Sequence, residues 1–272
     1  MTHLHLKNVG MPHFYYSYRS GIPVTATSRP TIFELNQVAM LYLGGGGSGH
    51  DESKIWDMVF QPGQRIAVWP QAQPQAIHID VLNWFTNALA PRGHFEILES
   101  SKAAPQFGLD TADVLFIPGG NTFHLLDFMQ KHDLLNAVHR FLAQGGHIFG
   151  GSAGAVILGV DIEICDVKNG GLDENDIGLE DTSALGLLGR CVVYPHFQGV
   201  DTEQHGICQR WADLHGHNVI ATPEQCGVAV SNDGVAFNSG PADLYAYSPG
   251  GRVRRYGAGE RWNLKGWHST VV

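Results

Sequence analysis

Ile148-Phe149-Gly150-Gly151-Ser152-Ala153-Gly154-Ala155 is an apolar run that breaks into glycines and resumes as small, helix-compatible residues. It reads as a β-strand, His147 to Gly150, running into Gly-x-Ser-x-Gly with a helix behind it, the pattern of a nucleophile elbow. A nucleophile on a sharp, strained turn needs small neighbours, so that the backbone can bend and a substrate can approach. The amides at the start of the following helix can then hold a developing oxyanion. Read without chemistry, the same residues make only a tight strand-to-helix turn.

Outward from that turn, strands and helices alternate. Val38 to Leu43 is a short apolar run ending in glycines, as expected of a strand covered on both faces. A helical segment is predicted over Asp51 to Phe60, then a strand at Arg65 to Trp69, a helix at Ala76 to Ala88, and strands at His94 to Leu98 and Asp113 to Ile117. Thr122 to Gln130 and Leu134 to Gln144 read as helices. The rhythm predicts an α/β fold with a doubly wound, mostly parallel sheet, whose ligands sit beyond the carboxyl ends of the strands. After Val219, short strands and turns such as Asn232-Asp233-Gly234 and Ser248-Pro249-Gly250-Gly251 predict antiparallel strands at the C-terminal edge. Residues 1–36, with three prolines and the run Phe14-Tyr15-Tyr16-Ser17-Tyr18, form an N-terminal extension with a hairpin pattern. It is expected to pack on the main domain or on a second subunit, which leaves a homodimer open, or else to hang as a loose arm. Residues 37–272 are expected to form a single α/β domain.

Composition narrows the function. The chain has 272 residues, of which 43% are hydrophobic and 16% charged against the usual ~25%, a folded rather than a disordered balance. Lys plus Arg is 17 and Asp plus Glu 26, a net charge of −9 without a basic run, so no nucleic-acid partner is expected. No 18-residue apolar stretch exists, and the first residues lack the charge and apolar core of a signal peptide, so no membrane partner and a cytoplasmic setting are expected. Cys165, Cys191, Cys208 and Cys226 show no Cys-x-x-Cys spacing, and the close histidine pairs 3/5 and 215/217 lack a third ligand, so no metal is expected. Gly44-Gly45-Gly46-Gly47-Ser48-Gly49 satisfies Gly-x-Gly-x-x-Gly, but the next strand ends in Trp69-Pro70-Gln71 without the acid that would hold a ribose. No dinucleotide is expected. The glycine turn is placed instead at the mouth of the site. Residues 161–182, rich in Asp and Glu, read as a solvated surface loop, with a lid as the alternative.

Three further strand ends carry chemistry. Phe116-Ile117-Pro118-Gly119-Gly120-Asn121-Thr122-Phe123 offers bare glycine amides suited to an oxyanion, with Asn121 as a substrate contact, or alternatively a turn capped by Asn121 or Thr122. Val192-Val193-Tyr194-Pro195-His196-Phe197 delivers a histidine, and Ile220-Ala221-Thr222-Pro223-Glu224 an acid. A serine needs a base, and the base a carboxylate to fix its tautomer. The order Ser, His, Glu is one solution. A Ser-acid-His order, as in ordinary α/β-hydrolases, would use Asp181 or Asp201 with His205 or His217.

The set Pro-Gly-Gly-Asn-Thr-Phe, Gly-Gly-Ser-Ala-Gly-Ala, Tyr-Pro-His-Phe and Ala-Thr-Pro-Glu resembles the dipeptidase E and cyanophycinase family of serine peptidases, over roughly Val38 to Gly234. The resemblance implies a flavodoxin-like sheet related to class I glutamine amidotransferases. It implies Ser152 as nucleophile, His196 as base, Glu224 as its orienter, and the amides of Gly120 and Ala153 as oxyanion donors, with no metal or organic cofactor. The expected activity is hydrolysis of a peptide or other small amide bond through an acyl-enzyme. In the dipeptidases an arginine between the histidine and the glutamate reads an aspartyl side chain. Arg210 is the only Arg or Lys in that interval here, so an aspartyl dipeptidase is one expectation and another small amide substrate the other. Two rivals stand beside these: a non-catalytic, amidotransferase-like binding protein, and an amidase or esterase acting on a non-peptide metabolite.

Overall fold

The computed structural model describes residues 40–99, 106 and 108–264. The N-terminal extension at 1–36 and its expected hairpin lie outside the described residues.

Each half of the βα rhythm forms where the apolar pattern places it. In chain order the larger elements are β1 (Met40–Gly44), α1 (Ser53–Val59), β2 (Arg65–Val68), α2 (His78–Leu89), β3 (Glu96–Glu99), β4 (Val114–Ile117), α3 (Thr122–Lys131), α4 (Leu134–Ala143), β5 (His147–Gly151) and α5 (Ala153–Val156). There follow β6 (Cys191–Tyr194), α6 (Thr202–His215), β7 (Asn218–Ala221), β8 (Gly227–Ser231), β9 (Val235–Asn238), β10 (Leu244–Ser248), β11 (Arg252–Tyr256) and β12 (Arg261–Asn263).

Successive side chains of a strand point to opposite faces, and β1 uses both. Leu41 and Leu43 join one apolar core with Leu115, Ile117 and Ile148 under α3, α4 and α5. Met40 and Tyr42 join another with Val114, Phe116 and Phe149 under α1 and α2. Phe116 is stacked there between Phe85 (centroids 4.3 Å) and Phe149 (5.5 Å). The sheet is therefore covered on both faces, which is why β1 and β4 are buried along their whole length.

The twelve strands of the described residues divide into two sheets. The larger runs β12-β9-β8-β1-β5-β4-β2-β3. Its five strands from β1 to β3 are parallel, while β8, β9 and β12 add antiparallel strands beyond β1. The second sheet runs β11-β10-β7-β6, with β6 and β7 parallel. Val192, Tyr194, Val219 and Ala221 pack under α6, whereas Val193 and Ile220 on the opposite face complete the main core. The expectation of antiparallel C-terminal strands at the sheet edge holds for β8, β9 and β12. β10 and β11 instead extend the second sheet, β10 pairing with β7 through contacts such as Tyr245 to Ala221 and β11 pairing with β10. No described helix is long and apolar enough to cross a membrane.

The segment from 161 to 182 is not simply solvated. Asn121 Nδ2 donates to the Glu174 carbonyl, Gln130 Nε2 to the Asp181 carbonyl, and His124 Nε2 pairs with Asp176. The acid-rich stretch is strapped along α3.

Candidate active site

Ser152 follows β5 in the main sheet, whereas His196 follows β6 and Glu224 follows β7 in the second sheet. The three meet at the seam between the sheets. Ser152 Oγ lies 2.8 Å from His196 Nε2, and His196 Nδ1 lies 2.8 Å from Glu224 Oε1. A carboxylate only accepts, so Nδ1 carries the ring proton and donates it to Glu224, and Nε2 is left to accept from the serine hydroxyl. The site is open at its acid end: the Glu224 side chain is 57% exposed and that of His196 27%.

The backbone is bent to bring this about. Ser152 sits at φ +52° and His196 at φ +54°, and with Asp133 they are the only non-glycine residues of positive φ among those described. Such conformations cost on the order of 1–3 kcal/mol each and persist only where the surroundings enforce them. Around Ser152 the enforcement is close packing. A Cβ on Gly150 would strike the Gly154 carbonyl at 2.1 Å, and one on Gly154 would strike the Ile117 carbonyl at 1.9 Å. Only glycines allow this turn.

The second glycine pair lies alongside. The Cβ position of Gly119 is 3.1 Å from Ser152 Cβ. Gly120, at φ +147°, is pressed on the Ala72 carbonyl, which also accepts the Asn121 amide at 2.7 Å. Among the described residues no hydrogen-bond acceptor pairs with the amides of Gly120 or Ala153.

The glycine turn after β1 also belongs to the site. The Gly44 carbonyl accepts from the Ser152 amide at 3.3 Å, and the Gly45 carbonyl from the His196 amide at 2.8 Å. Gly46 lies flat against the His196 ring; a Cβ there would come within 2.2 Å of Cε1. Gly47 packs on the Glu224 carbonyl.

The two expected substrate contacts stand differently. The Asn121 side chain is used at both ends within the fold: Oδ1 accepts from the His124 amide as the N-cap of α3, and Nδ2 holds the Glu174 carbonyl. One lone pair of Oδ1 and one Nδ2 hydrogen are thereby committed to the fold, and the second of each is left for a ligand. Arg210 is exposed on α6 with its guanidinium against Gly206, and it hydrogen-bonds to none of Ser152, His196 and Glu224. The Ser-acid-His alternative is not assembled either. His205 is held between the Tyr247 hydroxyl (2.6 Å) and the Gly199 carbonyl (3.1 Å), Asp201 caps α6, and Asp181 binds the Ser183 amide.

Two acids escape sequence reasoning. Asp173 Oδ2 accepts from Thr122 N at 2.9 Å and Thr122 Oγ1 at 2.5 Å, which pins the 161–182 strap to the start of α3. Burial raises its pKa, while the Thr122 donors and His196 oppose the shift. Nothing in an acid-rich run singles it out. Glu52 is 4% exposed, and its Oε1 accepts from the amides of Gly46 (2.9 Å) and Gly47 (3.1 Å). Burial pushes its carboxyl up to about 8 despite those two donors. Its only sequence signal is an acid set between a glycine run and an apolar helix.

The chain is similar to known proteins. The profile of Peptidase family S51 matches residues 40–237. A Peptidase E of Actinobacillus pleuropneumoniae is 48% identical over 54 residues, 20% of this chain and 23% of its own. The pyridoxal 5'-phosphate synthase subunit PdxT of Listeria welshimeri is 34% identical over 97 residues, 34% of this chain and 47% of its own. The matched segments thus span less than half the length of these curated relatives. Among solved structures, a peptidase from an acI-B1 Actinobacterium superposes with TM-score 0.61 at 17% identity, covering 83% of this chain and 97% of that one. A Listeria monocytogenes protein named for Peptidase E gives TM-score 0.59 at 17% identity, covering 75% of this chain and all of the other. At that identity the likeness is one of fold.

Proposed function

The chain belongs to peptidase family S51, and from that membership and the geometry of the seam we propose that it is a serine peptidase, hydrolysing a peptide or other small amide bond through an acyl-enzyme. The observation that carries the reading is the unbroken row Ser152 Oγ, His196 Nε2, His196 Nδ1, Glu224 Oε1, with both links at 2.8 Å.

Ser152 Oγ attacks the carbonyl carbon of the bound amide as its proton passes to His196 Nε2. Glu224 holds the ring by Nδ1 and stabilises the imidazolium. The amides of Gly120 and Ala153 donate to the oxyanion. His196 then gives its proton to the leaving nitrogen, the C–N bond breaks, and an ester to Ser152 remains. Water attacks that ester, passing its proton to His196, and Ser152 leaves with the proton returned. No step needs a metal or an organic cofactor.

An aspartyl preference through Arg210 has no support in the position of that side chain. Asp173, pinned against the start of α3, lies within electrostatic reach of His196. A screen of dipeptides and isopeptides with Asp, β-Asp, neutral and basic first residues, run on the wild type and on Ser152→Ala, tests the activity and the preference together. Ser152→Ala is expected to lose about 10⁴–10⁶ in kcat with its fold intact. Near-full activity in that variant ends the proposal.

A further inference from the structure

The run Gly44-Gly45-Gly46-Gly47 needs an explanation that the triad does not provide. It touches both members of the reacting pair. The Gly44 carbonyl holds the Ser152 amide, the Gly45 carbonyl holds the His196 amide, and Gly46, at φ +101°, backs the His196 ring. Four glycines in a row form a soft segment, since each has conformations closed to other residues. Something has to fix the turn.

Glu52 does so from beneath. Oε1 takes the amides of Gly46 and Gly47, Trp56 Nε1 lies 3.4 Å from Oε2, and the Gly44 Cα packs on the carboxyl so closely that a Cβ there would lie 2.5 Å from Oε2. Asp51 fastens the far end of the turn by accepting from the Ser48 amide and hydroxyl. We propose that Glu52 is a positioning residue: by holding the 44–47 turn it sets the distance between Ser152 Oγ and His196 Nε2. The requirement is an acceptor at the reach of a glutamyl side chain. The negative charge is dispensable. This rests on the reading of Ser152, His196 and Glu224 as the triad.

Two substitutions separate reach from charge. Glu52→Gln keeps an oxygen at the same reach and removes the charge. Glu52→Asp keeps the acid and withdraws the oxygen by one methylene. The readout is inactivation by an alkyl fluorophosphonate, resolved into kinact, which reports the Ser152–His196 geometry, and KI, which reports binding. Expected is a kinact for Glu52→Gln within about 3-fold of wild type and a loss of about 10-fold or more for Glu52→Asp, with KI within 3-fold in both and cooperative thermal melting. Gly46→Ala gives an independent arm, because its methyl drives into the His196 ring while Glu52 stays in place; a similar loss of kinact is expected. The reverse order, with Asp near wild type and Gln impaired, overturns the proposal, as does wild-type kinact in both Glu52→Asp and Gly46→Ala. A wild-type protein that the reagent does not label at Ser152, or a His196→Ala variant labelled as fast as wild type, is a different failure. It removes the triad reading itself.

Discussion

Ser152 and His196 carry nearly the same forbidden-side backbone, φ +52° and φ +54°, at the ends of parallel strands in two different sheets, and their side chains meet at 2.8 Å. One left-handed residue aims a side chain out of a strand end. Two that face each other across a seam make a pair, and the glycines around them make the bends affordable.

The orienting acid is unusually wet. Glu224→Gln replaces an acceptor with a carboxamide that can present its NH₂ to Nδ1 and favour the wrong tautomer. A buried triad acid converted in this way costs about 10⁴ in kcat. With the side chain 57% exposed, water can stand in for part of the lost acceptor, so a fall of about 10²–10³ is expected in steady-state kinetics on the best substrate found.

Arg210→Ala is expected to leave the ratio of kcat/KM for acidic and neutral dipeptides unchanged within about 2-fold, because the guanidinium rests on Gly206 and not at the triad. A selective rise in KM for acidic substrates would give Arg210 a reading role after all.

Asp173→Ala removes the acceptor for two donors of Thr122, a residue only 1% exposed. Leaving such donors unpaired costs about 1–3 kcal/mol. The cost falls locally, on the strap between 161 and 182. Limited proteolysis is expected to nick that stretch faster than in wild type, with the Asn121 and His124 contacts to Glu174 and Asp176 loosened in the same event.

Glu52 gives a pH dependence with a definite sign. Its carboxyl sits at about 8 in the folded protein, raised from 4.5 chiefly by burial. The facing groups are the Gly46 and Gly47 amides and Trp56 Nε1, which oppose the shift, and Asp51, which adds to it. Cys226 also lies within electrostatic reach. Between those two pH values the folded state holds a proton that the unfolded chain has released. The Glu52 contribution to stability is therefore present below about 4.5 and is lost as pH rises to about 8. Glu52→Gln cannot titrate. The Tm of that variant minus the Tm of wild type is expected to be larger at pH 8 than at pH 5, by differential scanning calorimetry in buffers of equal ionic strength. A difference independent of pH would mean that Glu52 ionises near its ordinary value.

Much of this molecule is written locally. Continuous apolar runs, read through β1, β4 and β5, specify strands covered on both faces. Gly150, Gly154 and Gly120 mark the bends, because only a residue without a Cβ fits against the carbonyls that crowd them, and Gly119 packs on the Ser152 side chain. Ser152, His196 and Glu224 are each legible as a polar residue delivered by a strand end.

Their company is decided by the tertiary structure. Whether β10 pairs with β7 or extends the main sheet depends on contacts such as Tyr245 with Ala221, which no local pattern encodes. That choice puts His196 and Glu224 on a separate sheet from Ser152. Likewise, Glu52 and Asp173 look like any other acids in the chain, and only packing shows one buried under the glycine turn and the other clamped to α3. Local sequence fixes which residues can bend and which can react. The distances between them come from burial and from hydrogen bonds across long separations, and these exist only once the two sheets have closed on each other.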